Sequence, residues 1–100
     1  MLAALADPTR RQLLDLIAAR PDGSATATEL AGAVPVTRQA VVKHLAVLAE
    51  AGLVEPHRTG REVRHALRTA PLLDTARWLT ERGAAWDRRL AAIKAIAEED

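Results

Sequence analysis

The sequence predicts a mostly α-helical single domain carrying one small β-hairpin, and three observations carry that prediction. Two capped helical stretches follow one another across a proline turn at residues 35–36. Residues 53–68 then hold two short strand-like runs around a glycine. From Leu72 to Ala97 apolar or small residues recur at alternating spacings of four and three, which is the seam of a long helix.

Taken in order, Asp7 followed by Pro8 marks a helix start, with a side-chain cap and a proline where its missing N–H is harmless. Leu13, Leu14 and Ile17 give that helix a buried stripe ending near Arg20. Arg10 and Arg11 stand in its first turn, where the helix dipole does not favour cations, so they face phosphate or solvent. Residues 21–24 read as a loop. Thr26 with Glu29 three residues on is a capping box, opening a short helix to about Ala33 with Leu30 and Val34 inward.

Thr37 caps the next helix, expected over 38–51, and Gly52 ends it. At 100° per residue Val41, Leu45, Leu48 and Ala40 share one arc, while Arg38, Gln39, Val42, Lys43 and Ala46 share the other. The first arc seats in a core. The second combines a bidentate donor, an amide, a methyl-bearing side chain and a cation, which is the chemistry that reads base edges in a DNA major groove. Two helices joined by a short turn, the second polar outward, form a helix-turn-helix. The strands expected at 53–57 and 62–67 flank Arg58, Thr59, Gly60 and Arg61 as a wing, with Gly60 supplying positive φ and Arg61, Arg64 and Arg68 free to face water or phosphate.

The C-terminal stretch, about 71–98, reads as one bent helix or two nearly collinear ones around Gly83, which costs roughly 1 kcal/mol against alanine inside a helix. Its seam of Leu72, Ala76, Leu79, Gly83, Trp86, Leu90 and Ile93 exceeds what so small a core needs. Leu79, Trp86, Leu90 and Ile93, with Leu2 and Leu5 near the N-terminus, are therefore expected to meet a second copy of the chain. The whole reads as a winged helix-turn-helix over residues 1–100 with flanking N- and C-terminal dimerisation helices.

Charge supports a nucleic-acid partner through its distribution rather than its total of +1. Residues 1–35 and 69–100 each carry −1, whereas 36–68 carry +3, which concentrates positive charge around the polar helix and the hairpin. The absence of cysteine excludes a disulfide framework and thiolate metal ligands, and no apolar run reaches membrane-span length, so a cytoplasmic protein without a membrane partner is expected. Catalysis is not expected. The one serine, Ser24, lies in the loop without a nearby histidine, and there is no glycine-rich phosphate loop or tight acid pair. A winged helix used only for protein contacts is the alternative, and it predicts an apolar or acidic outward arc where Arg38, Gln39 and Lys43 stand.

The phrases DPTRRQLLDLI, TRQAVVKHLAVLAEAGLV and GREVRHAL resemble the ArsR family of bacterial winged-helix repressors, over residues 5 to about 70. Trp86 with Arg89 and Leu90 is similar to members in which a tryptophan-bearing C-terminal helix replaces metal ligands. The resemblance implies a homodimer that binds a palindromic double-stranded DNA operator through paired reading helices and represses transcription, in some cases of its own gene, until a signal releases it. It places residues 37–44 at the groove and the hairpin tip on flanking backbone. Expected DNA contacts are thus Thr37, Arg38, Gln39, Val42 and Lys43 on the helix and Arg58, Arg61 and Arg64 on the hairpin. Metal-sensing members carry a Cys pair or C-terminal His and Asp ligands. Here the corresponding places read ATELAGAV, and 71–100 contain no His, so no metal or other cofactor is expected. Many members have serine where this chain has Val42, which shifts the expected preference there toward a thymine methyl.

The histidines and tryptophans have plainer expected roles. His44 should pack and hydrogen-bond to backbone. His57 and His65 on opposing strands come near one another without making a metal site. Trp78 and Trp86 belong to core or interface, with a pocket between them at a dimer seam left open.

Overall fold

The computed structural model describes residues 1–98; Glu99 and Asp100, included in the expected domain span, lie outside the described residues. The chain runs α1 (Leu2–Leu5), α2 (Pro8–Ala19), β1 (Ser24–Thr26), α3 (Ala27–Ala31), α4 (Arg38–Glu50), β2 (Val54–Thr59), β3 (Glu62–Leu67) and α5 (Ala70–Glu98).

The caps form as their residues dictate. Asp7 accepts from the N–H groups of Thr9 and Arg10, and Thr26 and Glu29 complete a reciprocal capping box. Thr37 accepts from the Ala40 N–H at 3.1 Å. At the far end of α4 the chain closes in a Schellman motif: Gly52 takes φ +79°, its N–H reaches the Ala49 carbonyl, and the Leu53 N–H reaches the Leu48 carbonyl at 2.9 Å. Leu48 and Leu53, which that turn brings together, are both fully buried.

The core is the meeting of the expected stripes. Leu13, Leu14 and Ile17 of α2, Leu30 and Val34 around α3, and Val41, Leu45 and Leu48 of α4 are all buried, joined by Ala25, Leu53 and Val54. No helix among the described residues is long and apolar enough to cross a membrane.

Three features depart from the sequence-based expectation. The hairpin is part of a three-stranded antiparallel sheet in the order β1-β3-β2, because Ser24, Ala25 and Thr26 pair with Ala66, His65 and Arg64. Residue 24 was expected in a loop, yet Ser24 and Ala25 are buried strand residues. The hairpin is also tighter than expected: β2 continues through Arg58 and Thr59, leaving Gly60 and Arg61 as a two-residue turn with Gly60 at φ +62°, the glycine-first pattern of a type II′ turn. Arg10 and Arg11, expected to face phosphate or solvent, instead fold back over α1. Arg10 donates to the carbonyls of Ala4 (2.7 Å) and Ala3 (3.2 Å), and Arg11 to those of Leu5 (2.7 Å) and Ala6 (3.3 Å). A four-residue helix leaves most of its carbonyls without helical partners; the guanidinium groups serve those of Ala4 and Leu5 and add a second donor at Ala3, which already accepts from the Ala6 N–H.

The C-terminal segment is one continuous 29-residue helix, so the choice left open around Gly83 resolves to a single α5. A β-carbon at Gly83 would meet nothing within 4 Å, so no close approach in this chain demands the glycine. At 1.5 Å per residue α5 is ~43 Å long, which accounts for molecular extents of 71 × 24 × 22 Å. Only its first turns touch the body, where Leu72 packs against the core and the Thr75 hydroxyl lies 4.0 Å from the Met1 sulfur.

Candidate nucleic-acid interface

Helix α4 buries one side so completely that the other side is fixed by default. Val41, Leu45 and Leu48 are at most 1% exposed, and the 3.6-residue period turns Arg38, Gln39, Val42, Lys43 and Ala46 outward, where all five are exposed. Thr37, at the cap, is exposed as well. Five of the eight expected contacts thus form one convex strip on one element.

The wing stands beside this strip. Between them lies a groove of about 630 Å³, bounded by Thr26 and Thr28 of the α3 start, Arg38 and Val42 of α4, and Arg61, Val63 and His65 of the wing, with the Glu62 carboxylate among its lining. Arg58 and Arg61 are exposed near and at the hairpin tip, and among the described residues neither makes an ion pair; the same holds for Lys43. Cations free of ion pairs on α4 and on the wing present a field that an anionic backbone meets without first breaking a salt bridge.

Arg64 is different, and the expectation that it is free does not hold. Its Nε donates to the Ser24 hydroxyl at 3.1 Å and its Nη2 to the Ser24 carbonyl at 3.2 Å. It also forms ion pairs with Glu29 at 3.1 Å and with Asp22 and Glu62 at 3.6 Å. The cause is the third strand: β3 is the central one, so Arg64 points among groups delivered by β1 and by the capping box rather than toward solvent. Arg68, likewise expected to be free, pairs with Glu55 at 2.8 Å.

The carboxylates around Arg64 carry the mark of that arrangement. Asp22 is held below the usual aspartate range by the Ser24 hydroxyl and N–H, against a small desolvation penalty and with help from Arg64. Glu29 is lowered by the Thr26 N–H, a desolvation penalty opposing it, and further by the Thr26 hydroxyl and by the charges of Arg20 and Arg64. Arg20 pairs directly with Glu29, so one carboxylate ties α2, the capping box and the wing together. Asp7 is also lowered; desolvation opposes the shift, and the N–H groups of Arg10 and Thr9 and the charges of His44 and Arg10 outweigh it.

The histidines correct two expectations. His44 is half-buried, but among the described residues it makes no hydrogen bond to backbone; its charge is felt at the Asp7 carboxylate without a direct ion pair. His57 stands opposite Arg64 and His65 opposite Pro56, so the two rings are offset rather than facing, and His57 lies 3.8 Å from Glu55. His65 is half-buried with its Nδ1 enclosed and without a partner among the described residues, and burial lowers its pKa against an opposing pull from the Ala25 backbone. Among the described residues no three His, Cys, Asp or Glu side chains group as metal ligands.

A further contact was not foreseen from the sequence. The Arg38 Nε donates to the Thr28 hydroxyl at 3.1 Å, bridging the first turns of α3 and α4. A capping box identifies Thr26 and Glu29 by their own spacing, but nothing in a pattern of residues shows that the threonine between them reaches ten positions ahead.

The face expected to meet a second copy is bare along α5: Leu79, Trp86, Leu90 and Ile93 are 47–63% exposed, joined by Trp78 and Ile96. Trp78 and Trp86 are therefore not core residues of this chain, and Arg82 lies over the Trp78 ring at 4.9 Å. Leu2 is exposed, whereas Leu5 is half-buried against the chain's own core.

With this geometry in view, comparison with other proteins is informative. Residues 5–57 match a family described as a helix-turn-helix domain. The transcriptional repressor SdpR of Bacillus subtilis is 33% identical over 76 residues, which is 76% of this chain and 81% of that protein. The solved structure of an ArsR-like transcriptional regulator from Rhodococcus sp. RHA1 superposes with a TM-score of 0.90 at 47% identity, over 99% of this chain and 88% of that one. The homodimeric winged helix-turn-helix DNA-binding domain of Mb0332 from Mycobacterium bovis, a possible ArsR-family regulator, superposes with a TM-score of 0.60 at 27% identity, over 85% of this chain and 73% of that one.

Proposed function

The chain belongs to the ArsR family of winged helix-turn-helix transcriptional regulators, and from that premise we propose that it binds duplex DNA as a homodimer and represses transcription at the sites it occupies. The observation that carries this reading is the outward strip of α4, where Arg38, Gln39, Val42 and Lys43 lie side by side and exposed on a helix anchored by Val41, Leu45 and Leu48. Arg38 and Gln39 read bases, Val42 meets a thymine methyl, and Thr37, Lys43, Arg58 and Arg61 hold phosphates. Arg64 supports the wing from behind.

Two copies are needed because one reading helix makes too few contacts for specific binding at physiological salt. A two-fold pair places two such helices one DNA turn, ~34–36 Å, or a multiple of it apart on a palindromic operator. The exposed apolar face of α5 supplies the pairing surface, with Leu79, Trp86, Leu90 and Ile93 at its centre and Leu2 and Leu5 at its edge.

Selection of duplexes from a random pool, followed by footprinting of the recovered sequence and of the DNA upstream of the protein's own gene, tests the reading. Enrichment of an inverted repeat protected by a dimer is expected. Recovery of no common sequence, or of one protected by a monomer, would overturn it.

A further inference from the structure

We propose that Thr28 is a specificity-determining residue that acts through Arg38: its hydroxyl holds one edge of the Arg38 guanidinium so that the opposite fork is offered to a guanine. This rests on the proposal that α4 reads base edges, and it adds a residue outside that helix to the reading machinery.

A guanidinium donates through Nε and through two terminal nitrogens in a fixed plane, and guanine presents two acceptors, N7 and O6, to such a fork. An exposed arginine at a helix start ordinarily samples many rotamers, and that freedom is lost on binding. Here the Nε is engaged by the Thr28 hydroxyl at 3.1 Å, which fixes the plane and leaves the terminal nitrogens, without protein partners among the described residues, as the forward edge. Preorganisation of this kind favours the base that matches the fork over those that do not.

Thr28 is itself well held for the task. It sits in the first turn of α3, whose start is fixed by the Thr26–Glu29 capping box, and Glu29 is in turn paired with Arg20 and Arg64. The Thr28 side chain is exposed on the groove between α3, α4 and the wing, so nothing of the core depends on its hydroxyl. The hydroxyl serves as acceptor toward Arg38, which leaves its own proton available to an acceptor in the groove.

The test compares duplexes selected from a pool of random sequence by the parent protein and by Thr28→Val, Thr28→Ser, Arg38→Ala and the Thr28→Val/Arg38→Ala double variant. Valine keeps the branched shape and a similar helix propensity while removing the hydroxyl, so unchanged melting is the control for folding. The parent should select a G·C pair at one symmetric position in each half-site. Thr28→Val should broaden preference at that position alone and lower affinity for the selected site about three- to tenfold, as the loss of one solvent-exposed hydrogen bond implies. Thr28→Ser should retain both, and Thr28→Val should change nothing further once Arg38 is alanine. Thr28→Val lowering affinity evenly for every sequence, or adding its full effect to Arg38→Ala, would overturn the role of Thr28 while leaving base reading by α4 intact. Arg38→Ala leaving the selected sequence unchanged would instead overturn base reading by Arg38, and the present proposal with it.

Discussion

Replacing Arg64 by alanine removes two hydrogen bonds to Ser24 and the 3.1 Å ion pair with Glu29, and it leaves Asp22 and Glu62 without their 3.6 Å counter-charge. With each hydrogen bond worth about 1 kcal/mol and the partly screened ion pairs together about 0.5–1 kcal/mol, the variant should lose ~2–3 kcal/mol. The Arg64 side chain is 30% exposed, so water recovers some of the interaction and the lower figure is the better guide. For a domain of this size ~2 kcal/mol corresponds to a fall in melting temperature of roughly 8–16 °C at fixed protein concentration. Arg61→Ala, at an exposed turn position without an ion pair among the described residues, should melt within a few degrees of the parent. On DNA the order reverses: Arg61→Ala should weaken binding to all sequences and reduce the slope of log K against log salt by about 2, one phosphate contact being lost in each half-site, whereas Arg64→Ala, measured well below its melting point, should leave that slope unchanged. Thermal melts and salt titrations on one selected duplex measure both quantities. An Arg64→Ala protein that melts like the parent and loses about two units of salt slope would show that Arg64 is a phosphate contact and that the network around it is incidental.

Three further outcomes are expected. Leu90→Asp places a charge twice in one apolar interface without touching the core, so sedimentation should show a monomer with intact helicity whose specific binding collapses while weak non-specific binding persists; a variant that stays dimeric and binds normally puts the interface elsewhere. Arg38→Ala and Gln39→Ala should each cost ~1–3 kcal/mol of operator binding and relax preference at particular base pairs, which competition with single-position operator variants measures. His65 has a folded pKa depressed below its ordinary value of 6.5; the neutral ring is therefore favoured by folding, its contribution is complete above pH 6.5 and is lost as pH falls toward the folded pKa. Denaturant melts should show stability declining from pH 6.5 downward, and His65→Gln should flatten that limb; an unchanged limb would assign it to other groups.

The helices were legible in the sequence because their caps and stripes are local. Asp7, Thr26, Thr37 and Gly52 act within four residues of themselves, and Val41, Leu45 and Leu48 announce a buried face through spacing alone. Strand β1 was not legible, since Ser-Ala-Thr is too short to show alternation and is paired only because β3 arrives beside it forty residues later. Arg64 departs from expectation for the same reason: with β1 and its flanking residues beside β3, its side chain meets Ser24, Asp22 and Glu29 instead of water alone. Arg10 and Arg11 were misplaced because the short α1, whose carbonyls they satisfy, has no cap or period to reveal it. Thr37, Arg38, Gln39, Val42 and Lys43 share a strip because helical phase requires it, whereas the Thr28–Arg38 contact depends on the angle between two helices, which no one-dimensional pattern contains.

The place of β3 between β1 and β2 also bears on how such a chain can be recombined. A hairpin joined to its host only through its two ends can be exchanged between relatives as a cassette. Here the returning strand is stitched to residues 24–26 by backbone pairing and by Arg64, across a sequence separation of 40. A chimaera that imports a foreign 53–68 segment while keeping its own 22–29 brings together halves of two different ionic networks, with Asp22, Ser24 and Glu29 facing whatever the donor carries at position 64. Crossover points that preserve this network therefore fall before Arg20, which pairs with Glu29, or after Arg68, and the unit of inheritance is the whole stretch between them, reading helix included.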